Sequence, residues 1–142
     1  MPPIFGTAVL VINILFFLVT TWSSATAPES FAAKLGLGIV NTGGINEIRA
    51  QYSGFFLAAA AVCTASLFGQ LSRQTSFVVL GAIYGGLLAG RLVSFALNAG
   101  VAGYSPTILA LYVIDAIGLG LAVASLALDI PPKREGRARH SI

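Results

Sequence analysis

The sequence predicts an all-α integral membrane protein: four transmembrane helices in an antiparallel bundle, with a short interfacial helix between helices 1 and 2. Three observations carry this. Only 9% of the 142 residues are charged and 56% are hydrophobic, whereas a soluble domain carries about 25% charge. Four runs of the chain have the roughly 20 mostly apolar residues that cross a hydrocarbon core. The net charge of +3 is uneven, since Lys133, Arg134, Arg137 and Arg139 all lie in the last ten positions. On a membrane protein such a basic tail reads as a topology signal rather than a nucleic-acid contact. The expected division is a four-helix domain over 1–128 and a basic cytoplasmic tail over 129–142.

The first span is expected at about 4–26. Ala25-Thr26-Ala27 has the small-x-small form of a signal-peptide cleavage site. However, the leading MPPIF lacks Lys and Arg, the apolar run is long, and Pro28 would follow the cut. A retained helix is therefore expected. In the 27–46 connection, Pro28-Glu29-Ser30 resembles a helix start, with Phe31, Leu35 and Ile39 along one apolar face and Lys34 reaching water. Gly36, Gly38 and the NTGG turn at 41–44 would end it. A plain loop is the alternative. The second, third and fourth spans are expected at about 47–69, 76–98 and 107–128. Basic residues in the short loops then put both termini on the cytoplasmic side, with Arg73 and the tail, opposite Lys34 and Arg49.

Charges inside membrane helices are costly, about 2.5–3.5 kcal/mol each on insertion scales, and usually face a partner within the bundle. Arg91 lies seven residues before the outer end of the third span, and Asp115 eight residues after the outer end of the fourth. At 1.5 Å per residue both sit about 11 Å deep, which predicts an Arg91–Asp115 ion pair. Tyr84, Arg91, Ser94 and Asn98 share one face of the third span, and Tyr112 lies one turn before Asp115. Asn13 is expected to make an interhelical hydrogen bond.

The second span opens with NEIRAQYSG. Asn46 suits an N-cap and Glu47 the first turn, whereas Arg49 has the wrong sign there. Glu47 and Arg49 are about 200° apart on a regular helix, so only one can face the bundle. Glu47 is expected to turn inward as a second acceptor for Arg91, leaving Arg49 and Tyr52 at the rim. Such a network either fixes helix register or handles a ligand or proton. Small-xxx-small patterns at Ala50/Gly54/Ala58, Gly81/Gly85, Gly86/Gly90 and Gly118/Ala122 suggest close helix contacts. Cys63 reads as a small buried side chain. With His140 the only histidine, neither a histidine-held haem nor a zinc site is expected.

E-x-R-A-x-Y (Glu47, Arg49, Ala50, Tyr52), followed by Gly54, then Gly90-Arg91 and Asn98-x-Gly100, resembles a bacterial family of four-helix membrane proteins. That family is catalogued only as a domain of unknown function and grouped with DoxX-like bundles. The resemblance spans about 5–128 and implies a four-helix bundle in the bacterial inner membrane, with no established activity. Ser53 departs from an expected glycine, and Asp115 from an expected glutamate.

Three functions fit these residues. The first is a small non-enzymatic subunit of a larger membrane complex or homo-oligomer, held by an Arg91–Asp115–Glu47 network. The second is a binding or redox protein whose outward pocket, lined by Arg91, Tyr52, Tyr84 and Tyr112, takes a quinone, lipid or other amphiphile. The third is proton-coupled transport through Asp115, although no inverted repeat accompanies it.

Overall fold

The computed structural model describes residues 4–98, 100 and 102–128; the expected tail over 129–142 lies outside them. All regular structure among these residues is helical: α1 (Ile4–Thr26), α2 (Pro28–Lys34), α3 (Thr42–Ile48), a π-helical segment (Arg49–Gly54), α4 (Phe55–Leu67), α5 (Arg73–Leu97) and α6 (Pro106–Leu128). Four continuous helices, Ile4–Thr26, Thr42–Leu67, Arg73–Leu97 and Pro106–Leu128, are long and apolar enough to cross a membrane. This architecture follows from the solvent, because lipid offers a backbone no hydrogen-bond partner and a helix satisfies its own. The large apolar side chains that face outward, among them Leu15, Val19 and Val113, are consistent with a lipid surround.

The bundle is built from two tight pairs, α1 with the π segment and α4, and α5 with α6. Leu10, Phe17, Phe77, Leu80 and Ala122 are fully buried between them. Close approach within the second pair depends on Gly118, which lies beneath the Tyr84 ring; an added Cβ would stand 2.7 Å from the ring carbons. Gly81 and Gly85 face Ala122 and Leu119 as expected, but Gly86 and Gly90 face open space. Ala50, Gly54 and Ala58 are exposed, so that stripe is not an internal helix contact.

The interfacial helix is present but shorter than the apolar pattern suggested. It ends at Lys34 in a Schellman motif: Leu37 N–H donates to the Ala32 carbonyl at 2.9 Å and Gly36 N–H to Ala33 at 3.0 Å. Gly36 supplies the left-handed residue this turn requires, at φ 74°. Ile39 therefore lies outside the helix. A second correction concerns the NTGG turn, which starts a helix instead of ending one. Asn41, in extended backbone, caps α3 by accepting from Gly44 N–H at 3.2 Å. A Cβ on Gly43 would stand 3.0 Å from the Asn41 Oδ1. Glycines that look like helix breakers are here what lets the cap close. Asn46 is therefore inside the helix and is not its cap.

The third finding is the π segment RAQYSG. Its wide turn is seen in the Phe55 N–H, which donates to Ala50 five residues back. Such a turn frees a carbonyl from the regular ladder. The Ser53 carbonyl accepts from Thr21 Oγ1 at 3.2 Å, and the Ser53 hydroxyl pairs with Ser24 at 2.9 Å. The serine standing where a glycine was expected thus links the second span to α1.

Candidate functional site

Arg91 and Asp115 meet as depth arithmetic on two antiparallel helices requires. Arg91 Nε lies 2.6 Å from Asp115 Oδ2, and the side chains are 20% and 4% exposed. The pair is braced from α6 and from the connection before it. Tyr112 Oη donates to the Arg91 carbonyl at 2.8 Å, and the Arg91 guanidinium carbon lies 5.8 Å from the Tyr112 ring centroid, within cation–π range. Tyr104 stacks on Tyr112 with centroids 6.3 Å apart and shares a hydrogen bond of 2.9 Å with Ser94, which in turn accepts from Asn98 Nδ2 at 3.1 Å. Tyr104 lies outside the spans, and its bonds with Ser94 first and Asn98 second hold its phenol below the ordinary tyrosine range.

These groups line a cavity of about 560 Å³, with Gly86, Gly90, Arg91, Ser94, Tyr104 and Tyr112 on its wall. Arginine carries five N–H donors in a fixed fork. Only the Nε–H of Arg91 is used, by Asp115; its Nη groups have no hydrogen-bond partner among the described residues. A cavity with free, directional donors on one wall and apolar surface elsewhere is suited to an acceptor-bearing ligand. No family model, curated protein or solved structure matches this chain. Its chemistry therefore has to be read from these side chains.

The single pocket expected around Arg91, Tyr52, Tyr84 and Tyr112 is two. Tyr52 and Tyr84 lie in a second, smaller chamber of about 160 Å³, with Phe31, Lys34, Phe56 and Asp115 among its lining. Arg91 lines the first space and Asp115 the second, with Leu35 and Leu87 bordering both, so the ion pair lies between them. Tyr84 turns its hydroxyl away from Arg91, donating to Asn13 Oδ1 at 2.5 Å, while Asn13 Nδ2 donates to the Val9 carbonyl at 2.8 Å. Tyr52 packs on Phe31 of α2, with ring centroids 5.0 Å apart.

Glu47 is not the second acceptor for Arg91. It is exposed and forms no hydrogen bond or ion pair with the arginine. Two physical causes account for this. Ile48 is the inward residue of that turn, at 7% exposure, which rotates Glu47 off the bundle face. Moreover, α2 packs between the π segment and the connection before α6: Phe31 meets Tyr52, and the Lys34 carbonyl accepts from Ser105 Oγ at 3.3 Å. Arg49 does sit at the rim, where its Nε donates to the Ala25 carbonyl at 3.2 Å. It is the right sign for the C-terminal end of α1, although wrong for the start of its own helix.

Tyr104 and the open glycines Gly86 and Gly90 were not legible as site residues. A tyrosine in a connection shows no periodicity, and a glycine that makes room for a ligand reads in sequence like one that makes room for a helix.

Proposed function

We propose that the chain is a non-enzymatic binding protein of the bacterial inner membrane, one that holds an amphiphile with an acceptor-rich headgroup at the Arg91 cavity. The observation that carries this reading is the state of Arg91: Asp115 neutralises its charge and fixes its plane, while its Nη donors remain on the cavity wall. Glu47 does not join the network expected to hold an accessory subunit together, and the cavity beside Arg91 favours binding as the reading. The likeness to the four-helix family carried by E-x-R-A-x-Y is compatible with this reading and adds no activity to it.

The test is retention. Wild type and Arg91→Lys are purified from membranes in mild detergent, and their bound amphiphiles are identified by mass spectrometry. Lysine keeps a charge for Asp115 but has no planar fork to offer a second partner. Wild type is expected to retain one class of amphiphile, and Arg91→Lys to lose it with little change in unfolding temperature. Equal retention by both proteins would remove Arg91 from any binding role.

The same reading puts both termini in the cytoplasm, supported by Arg73 and the four basic tail residues on one side of the membrane. Cys63 is buried, which leaves little background for thiol labelling. Ala102→Cys should react with an impermeant maleimide added to intact spheroplasts. Reaction only after lysis would invert the orientation.

A further inference from the structure

The Arg91 cavity does not end at its polar wall. Gly86 and Leu87 border it and also border a second space of about 560 Å³ between α4 and α5. Phe55, Ala58, Val62, Val79, Ala82 and Ile83 line that groove, with no polar side chain among its walls. From Gly86 to Val79 is seven residues, a path of about 10 Å at the helical rise. At this shared wall Gly86 presents no side chain, and a Cβ built there meets nothing within 4 Å. A donor-bearing chamber and an apolar trough thus lie side by side, sharing the Gly86–Leu87 turn of α5 as a wall.

Resting on the binding role proposed above, we infer that the ligand is an uncharged glycerolipid. Its ester and hydroxyl head lies at Arg91, Ser94 and Tyr104, and one acyl chain passes Gly86 into the α4–α5 groove. Charge selects the head. Arg91 is already balanced by Asp115 at 2.6 Å, so an anion would bring an unmatched charge into the site, whereas ester and hydroxyl oxygens only need the free Nη donors. Ring geometry argues against a planar quinone head. Tyr104 and Tyr112 already lie against each other at 6.3 Å, within the range of a direct ring contact, leaving no slot between them for a third ring. What distinguishes the groove from other lipid-facing surface is the wall it shares with the polar cavity, where Gly86 places no side chain between them.

The experiment uses the full chain in nanodiscs with two photoreactive monoacylglycerols, one carrying a diazirine on the head and one at mid-chain. Labelled residues are located by mass spectrometry. The head probe is expected to label the 91–104 segment, and the chain probe to label 55–62 and 79–83. Gly86→Leu should abolish the chain label in the groove and leave the head label in place; Gly86→Ala should preserve both. A chain label unchanged by Gly86→Leu, or spread evenly onto Leu15 and Val19 of α1, would overturn the groove assignment while the head label still upheld the Arg91 site. Absence of any head label at 91–104 would overturn the binding role for this lipid class. A prenylquinone probe that labels 91–104 where monoacylglycerol does not would keep the site and overturn the glycerolipid assignment.

Discussion

Arg91→Leu is expected to destabilise the bundle by about 3–5 kcal/mol, and Arg91→Leu combined with Asp115→Leu to recover most of that loss. The asymmetry follows from burial. Asp115 is 4% exposed and its partner lies 2.6 Å away. Removing the arginine alone leaves a carboxylate inside the bundle with no counter-charge. Removing both charges replaces the pair with apolar volume, to which lipid and protein interior are equally hospitable. Unfolding in a graded mixture of mild and denaturing detergent, followed by circular dichroism, measures both variants. A single variant as stable as wild type would mean that Asp115 finds another partner. A double variant no better than the single one would mean that the pair is needed for packing beyond its charge.

Gly118→Leu is expected to cost about 2–5 kcal/mol, combining overpacking with the disturbance of a buried hydrogen bond. The Tyr84 ring lies over Gly118, 2.7 Å from where a Cβ would stand, and the same side chain donates to Asn13 on α1. A leucine must push the ring away, and that movement pulls the hydroxyl from Asn13. One substitution on α6 thus loosens α5 from both α6 and α1. Tyr84→Ala in the same chain removes the ring that the leucine strikes, so the two losses should sum to more than the double variant shows. Additive losses in the same unfolding assay would mean that residue 118 and Tyr84 do not share this space.

The four spans and the ion pair were readable from the sequence because they depend on quantities a sequence states directly. Apolar length gives a crossing, and residue position along a crossing gives depth. Arg91 and Asp115 needed only depth and antiparallel order to be matched. Glu47 needed rotation, and a regular helix sets the expected rotation. Helix α3 begins at Thr42, and the turn widens from Arg49 to Gly54, so the phase carried through NEIRAQYSG changes where the motif meets the bundle. The contact of Arg49 with Ala25 could not be read locally, because its reason lies on another helix. Tyr104 and the position of α2 beside Tyr52 are tertiary facts that no periodicity records. The division of one expected pocket into two follows from the same source: Arg91 lines one space and Asp115 the other, with Leu35 and Leu87 bordering both.

Binding at Arg91 is tested most directly by amphiphile retention in the Arg91→Leu/Asp115→Leu double variant, compared with wild type purified from the same membranes. This variant is expected to stay folded, so loss of ligand cannot be charged to unfolding. With the fork gone, the retained amphiphile should fall to the level of nonspecific annular lipid, while wild type keeps a single class. Retention of that same class, in the same amount, by the folded double variant would contradict a binding role for Arg91.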